Sequence, residues 1–316
     1  MRAALIETPG APAVPGERPE PTRGEGEVLV AVSAAPIVPL DRLCASGTSY
    51  FGVPPTPYVP GVQGVGLVLD GSADLPKGTP VWFATSAGMQ PGDGSMRAIA
   101  AVPAHDVVAL PPGADPVLVA ALGLSAVAAW MALTVRGGLT AGERVLVLGA
   151  GGVVGQAAVQ LARSAGAGRI VAAARGERSR KRALALGADV AVPLGDTDDV
   201  ARLADRMRVD GPVDLVVDPL FGTPAAAALR AQGRLVNLGG SAGETAPIDS
   251  STLRSRSLRV LGYTNNDLTP DQRAGALTHV VGEVLAGRLT AAYEPVPLVD
   301  VAGVWDHPGD RVVLVP

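Results

Sequence analysis

A chain of 316 residues with 26 Lys+Arg against 30 Asp+Glu has a formal charge of −4, and 47% of its residues are apolar against 18% charged. That length has room for about two domains and for a core large enough to need no disulfide or metal staple. Weak net acidity and 3% aromatics exclude nucleic acid as the main partner, since phosphates meet no basic surface and bases few stacking rings.

The single cysteine, Cys44, rules out an intrachain disulfide and fits a reducing cytoplasm. The apolar run Ala3 to Ile6 is too short for a secretory h-region. Pro116 to Val135 is uncharged over its whole length, as a membrane span is. Its alanines, Gly123, Ser125 and Thr134, and the lack of a comparable second span, point instead to a buried helix and no membrane partner. Only Lys77 and Lys181 are available for Schiff-base chemistry.

In chain order, the first 115 residues read as short strands punctuated by Pro and Gly. The runs are 26–35, 64–71, 78–85 and 96–103, bounded by turn residues such as PGVQG and PGDG. Many short strands without a long helical period predict a compact, barrel-like β domain. From residue 117 the pattern changes. A helix (117–135) leads to strand 143–149, helix 152–165, strand 169–175, helix 177–186 and strand 189–192. Next come a helix near 196–207, strand 213–218, a short helix near 223–231, and strands 233–239 and 258–264. Continuous apolar strands alternating with helices predict a parallel sheet covered on both faces. A last helix (270–286) precedes the strand 311–316, which needs a sheet to join; the N-terminal β domain is the expected acceptor.

The sharpest motif is VLVLGAGGVVGQAAVQLAR (145–163), with Gly149, Gly152 and Gly155 three apart between a buried strand and a helix. One glycine makes the bend, a second lets a pyrophosphate touch the backbone, and a third lets helix and strand pack closely. The amides that open the helix, at Val153 and Val154, then face the phosphates. In NAD sites an acidic residue ends the second strand, about 20 residues on, and bonds the ribose 2′-OH. Here Ala173, Ala174 and Arg175 stand there instead, followed by Arg178, Arg180, Lys181 and Arg182. A small residue leaves room for a 2′-phosphate and a guanidinium grips it, so Ala174 and Arg175 favour NADPH over NADH. The remaining basic residues read equally as a solvated helix face.

With these motifs the chain resembles the zinc-independent, quinone oxidoreductase-like branch of the medium-chain dehydrogenase/reductase superfamily. The likeness runs through MRAALIETPG, PIVPLDRLCASGTSY, PYVPGVQGVG, AALGLSAVAAWMAL, the glycine turn and LVNLGG. It implies a GroES-like β-barrel domain (1–118 and 266–316) that takes the substrate, and a doubly wound Rossmann domain (119–265) that binds NADPH. It further implies a cofactor in the cleft between the two and a homodimer paired through the strand 258–264. Zinc-dependent relatives place metal ligands where this chain has Val38, Val62 and Gln63, and a single cysteine cannot form their structural cluster. Nor do His105, His279 and His307 match a ligand spacing.

Without a metal, plain alcohol oxidation lacks its Lewis acid. A quinone or conjugated carbonyl needs less help, because hydride addition yields a delocalised anion that ordinary hydrogen-bond donors stabilise. The expected activity is therefore NADPH-dependent reduction of a quinone or α,β-unsaturated carbonyl. The alternatives are an enoyl-thioester reductase and a nucleotide-binding protein without turnover.

The resemblance also implies residue roles. Ser125 contacts the nicotinamide side of the cofactor, Leu238, Gly239 and Gly240 approach its ribose, and Thr264 and Asn265 anchor the carboxamide. Tyr50, displaced by one residue from the family's tyrosine, either donates the proton or walls an apolar pocket; water is the other proton source. Asp41 matches a family aspartate but reads as a helix or turn cap, Asp218 as structural, and Cys44 as a small buried thiol.

Overall fold

The computed structural model describes residues 1–195, 200–209 and 211–316. It divides into two compact units, Met1–Gly123 with Pro270–Leu285 and Ala291–Pro316, and Leu124–Thr269 with Ala286–Thr290.

The first unit is built of β1 (Arg2–Leu5), β2 (Val14–Glu17), β3 (Glu27–Pro36), α1 (Pro39–Ser46), β4 (Gln63–Asp70), β5 (Pro80–Ala84), β6 (Ile99–Pro103) and β7 (Val107–Ala109). Strict alternation sets its central strand: Val28, Val30, Val32 and Ala34 of β3 are buried while the residues between them are half-exposed. Pro39 opens α1 with a preset φ, and Gly47 ends it in the left-handed region at φ 72°. Helix α2 (Pro116–Met131) starts where Asp115 Oδ1 accepts from the Val117 amide at 2.9 Å. It breaks at Gly123 (φ 27°, ψ −125°). A side chain there would run into the Gln63 carboxamide, with Cδ 2.7 Å from the added carbon. The chain leaves the first unit at this glycine rather than at residue 118.

The second unit holds the last half of α2, which passes into a π-helical turn over Ala132–Arg136. There follow β8 (Arg144–Leu148), α3 (Val153–Ser164), β9 (Arg169–Ala174), α4 (Glu177–Ala185), β10 (Val190–Pro193), α5 (Val200–Met207), β11 (Val213–Asp218), β12 (Leu229–Asn237), α6 (Ser250–Ser255) and β13 (Arg259–Gly262). The chain then returns to the first unit with α7 (Pro270–Leu285), β14 (Tyr293–Pro297), α8 (Val301–Val304) and β15 (Arg311–Val315). As its lack of a partner required, β15 joins the first unit's sheet, antiparallel to β3. That sheet runs β14-β15-β3-β4-β5-β7, with β6 paired to the first half of β3. Its core includes Ile6, Phe83, Met96, Leu298 and Trp305.

The second unit's sheet is entirely parallel in the order β10-β9-β8-β11-β12-β13. Renumbered from its own first strand this is 3-2-1-4-5-6, the doubly wound Rossmann order. Leu146, Leu148, Val171, Met207, Val216 and Leu235 form its core. Helix α2 is long and apolar enough to cross a membrane by composition alone, yet most of it is buried inside the protein.

Two expectations need correction. The helix near 223–231 is only a 3-10 turn at Ala225–Ala228, because Leu229 is already needed as the partner of Val213 in the sheet. Pairing with a neighbouring strand overrides the helix preference of four alanines. The helix expected from 196 is seen from Val200; residues 196–199 lie outside the described residues.

Candidate active site

In a parallel sheet every strand ends at the same edge, so Leu148, Ala174, Asp218, Asn237 and Gly262 mark one rim of the second unit. Strand order reverses between β8 and β11, which opens a crevice at that rim. The glycine turn lies there. Gly149 bends at φ 62°, and a Cβ on it would meet Leu220 Cδ2 at 2.9 Å. Gly155 is buried against the turn: an added Cβ would strike the Gly149 carbonyl and lie 2.6 Å from Ala150 Cα. Gly152 differs from both. Its φ of −79° suits any residue, and a Cβ there would find nothing nearer than the Gly149 carbonyl at 3.6 Å. Nothing inside the protein demands glycine at 152, and the space above it is open.

Gly152 is the N-cap of α3, and no side chain caps that helix. The amides of Val153, Val154 and Gly155 therefore open the helix without intrahelical acceptors. A turn that clears its backbone in front of an uncapped helix start fits a pyrophosphate.

The end of β9 is shaped by Arg180, one of the basic residues that follow Arg175 in the sequence. Arg180 Nη1 reaches back to the Ala174 carbonyl (3.2 Å) and to the Arg175 carbonyl, closing the turn before α4. Ala174 is buried and Arg175 exposed, with its guanidinium in no ion pair among the described residues. Lys181 pairs with Glu177 at 2.8 Å, one turn back on the exposed helix face. Of the basic residues here, Arg175 has its guanidinium open at the strand end.

Across the crevice, Asp218 is 1% exposed, and its Oδ1 accepts from the Leu220 (2.9 Å) and Phe221 (2.8 Å) amides. Burial pushes this carboxyl above its ordinary value against the pull of those two amides. Its work is to hold the turn that touches Gly149. Asn237, passed over in the sequence, does the same for the next turn. Its Nδ2 donates to the Asp218 and Gly239 carbonyls at 3.2 and 2.7 Å, fixing Leu238–Gly240. A Cβ on Gly239 would approach the Pro219 carbonyl to 2.7 Å, so the two turns lie against each other. The only local signal was an Asn at a strand end, which is common in turns.

Ser125 is buried in α2, next to Leu124, whose carbonyl accepts from Asn265 Nδ2 at 2.9 Å. Asn265 Oδ1 accepts from the Tyr263 hydroxyl at 2.7 Å. The Asn265 side chain is thus oriented at both ends, with one N–H and one oxygen lone pair left over for a ligand. Thr264 Oγ1 accepts from the Asn266 amide at 3.2 Å, which caps the short 3-10 turn 265–267.

In the first unit, Tyr50 is 77% exposed and stacks on Phe51 with ring centroids 4.3 Å apart. Among the described residues nothing bonds its hydroxyl. Asp41 is the cap its position suggested: Oδ2 accepts from the Val38 amide at 2.8 Å and Oδ1 from the Val62 amide at 2.9 Å. Burial raises its carboxyl to about 6, although the two amides and the Arg311 charge oppose the shift. Cys44 is buried, and desolvation followed by the Asp41 charge pushes its thiol up to about 11, so it stays protonated.

The positions at which zinc-dependent relatives carry ligands do not fit a metal. Val38 and Val62 are buried hydrocarbons. Gln63, fully buried, accepts from Trp82 Nε1 at 3.0 Å and donates to the Ala120 carbonyl at 3.4 Å. Two hydrocarbons and an engaged neutral amide offer no donor set for zinc.

Residues 153–280 match the zinc-binding dehydrogenase family and residues 24–112 the alcohol dehydrogenase GroES-like domain. The chain is 31% identical over 288 residues to prostaglandin reductase-3 of Bos taurus, spanning 86% of this chain and 72% of that protein. It is 29% identical over 287 residues to the quinone oxidoreductase of Homo sapiens, spanning 88% and 85%. Among solved structures it is similar to the quinone oxidoreductase of Thermus thermophilus, solved alone and in complex with NADPH. That likeness covers 100% of both chains at 30% identity, with a TM-score of 0.79.

Proposed function

Because the chain belongs to the medium-chain dehydrogenase/reductase superfamily, in its quinone oxidoreductase-like branch, we propose that it is a cytoplasmic oxidoreductase that uses NADPH to reduce a quinone or an α,β-unsaturated carbonyl without a catalytic metal. The observation that carries this reading is the cleared Gly152 in front of the uncapped α3, at the crevice between β8 and β11. The Thermus relative, named for its complex with NADPH, supports the choice of cofactor.

Bound NADPH supplies the hydride. Around it, Gly149 and Gly155 hold the turn, Gly152 gives the pyrophosphate its approach, and the Val153 and Val154 amides meet its charge. Ala174 leaves room beside the adenosine ribose, and Arg175 takes the 2′-phosphate with paired N–H donors. Leu238, Gly239 and Gly240, fixed by Asn237, face the nicotinamide ribose. Thr264 and Asn265 would hold the carboxamide, with Ser125 on the nicotinamide side. The Rossmann unit carries the nucleotide and the GroES-like unit the acceptor. Reduction of a conjugated acceptor spreads the arriving charge over several atoms, so no cation is needed where Gln63 stands. The accompanying proton comes from solvent, since Tyr50 is exposed and unoriented.

The test is steady-state oxidation of NADPH against quinones, enones and enoyl-CoAs, with Arg175→Ala and Tyr50→Phe beside the parent chain. Turnover is expected on quinones or enones and unchanged kcat in Tyr50→Phe. Arg175→Ala should raise KM for NADPH by about tenfold or more while leaving that for NADH nearly unaltered, the loss of one charge-assisted contact. No turnover on any acceptor would overturn the enzymatic reading, and equal losses for both nucleotides would overturn the 2′-phosphate assignment.

A further inference from the structure

At the opposite rim of the Rossmann sheet, where its strands begin, lies a cleft of about 450 Å³ lined by Arg136, Gly138, Glu143, Arg230, Gln232, Arg234 and Arg259, among others. We propose that this cleft binds a small polyvalent oxyanion, separately from the glycine turn and independently of the proposed activity.

The floor is built and internally neutral. Arg234, with its side chain 7% exposed, donates to Glu143 through Nη1 (2.8 Å) and Nη2 (2.5 Å), and its Nη2 also reaches the Gly138 carbonyl at 2.9 Å. Burial by itself would raise the Glu143 carboxyl, but Arg234 and the Thr140 amide outweigh it and hold the group below its ordinary value. Arg230 Nε pairs with Asp214, whose other oxygen accepts from the Arg144 amide at 2.8 Å. Each carboxylate of the floor is thus matched by one guanidinium.

The walls are not neutral. Arg136 gives its Nε to the Gly262 carbonyl (2.8 Å), which leaves both terminal nitrogens to solvent, and Arg259 projects from the start of β13. Among the described residues neither has a carboxylate partner. Two unmatched guanidiniums on a neutral polar floor, in a space of ordinary ligand size, suit an oxyanion that carries at least two charges.

The backbone points the same way. Arg136 rides on the π-helical turn at the end of α2, where the Gly137 amide reaches the Ala132 carbonyl at 2.9 Å. Arg230 and Gln232 ride on a bulge in β12. Between their paired positions β11 advances from Val213 to Leu215, while β12 advances from Leu229 to Arg234. Gln232 sits there in the left-handed region at φ 61°. Both devices are rare and cost energy, and such irregularities concentrate at binding sites. Here each of them aims polar side chains into one space.

The probe is inorganic pyrophosphate, titrated into the full chain at constant ionic strength, with heat of binding and thermal unfolding as readouts. Saturable binding at one site and a rise in Tm are expected. Arg136→Ala and Arg259→Ala should each weaken binding by about tenfold, the loss of one charge-assisted contact, with the oligomeric state of each variant measured alongside because Arg259 begins the strand expected to pair two chains. The double variant should abolish it. Citrate should compete, which would show that the site reads charge and shape rather than phosphorus. No saturable binding, a Tm rise reproduced by sodium chloride, or binding that survives the double variant and vanishes with NADPH would overturn the proposal. The last result would assign the anion to the glycine turn.

Discussion

Asp41 shows how a motif position and a chemical role come apart. It matches a family aspartate, yet its carboxylate spends both oxygens on the main chain of Val38 and Val62. Burial outweighs those bonds and the Arg311 charge, so the folded state holds the proton more tightly than the unfolded chain does, at about 6 against 3.8. A carboxyl raised in this way contributes stability that is fully present below the unfolded value and is lost as pH rises through the folded one. Thermal unfolding between pH 4 and 7 should therefore show a component that falls with rising pH around 6, and Asp41→Asn should remove that component. Asn keeps the volume but cannot accept from both the Val38 and the Val62 amides, so it should also lower stability by about 1–3 kcal/mol. A variant whose unfolding keeps the same pH dependence would show that another group titrates there. Gln63 makes the same point without charge: it links Trp82 to Ala120 and occupies the space that forces Gly123.

The strand–turn–helix element β8–α3 carries the proposed activity, and its glycines do separable jobs. Gly155→Ala would set a Cβ 2.6 Å from Ala150 Cα and against the Gly149 carbonyl, so it should cost about 1–3 kcal/mol of stability in urea unfolding. Gly152→Ala meets no atom closer than 3.6 Å, so its stability should stay within about 1 kcal/mol of the parent. It should nevertheless lose NADPH affinity by about tenfold or more, since the new methyl stands where the pyrophosphate approaches. Equal stability losses for the pair would mean that both glycines merely serve packing. Helix α2 is divided in the same sense: Gly123 breaks it where the first unit ends, and the π turn re-aims its last residues toward the arginine cleft.

For the whole molecule the proposed metal-free chemistry makes a direct prediction, since Val38, Val62 and Gln63 offer no donor set for zinc. Exhaustive chelation should leave Tm and turnover unaltered, and metal analysis of the purified chain should find no stoichiometric zinc. One zinc per chain, with a fall in Tm on its removal, would refute this. The two sheets, the order of their elements and the nucleotide turn were legible in the chain because each rests on local spacing. Alternation in β3 sets one buried face, continuous apolar runs in β8 and β11 set a doubly covered sheet, and three glycines at fixed intervals set a turn. What became of individual polar groups was decided only by tertiary structure. Asn265 is oriented by Leu124 and Tyr263, one oxygen of Asp218 by the turn after it, and Tyr50 is left on the surface. Arg136, far along the chain from Arg230, Arg234 and Arg259, lines one cleft with them. Spacing along a chain specifies backbone geometry within a few turns, whereas the partner and dielectric of a side chain depend on which distant segments pack around it.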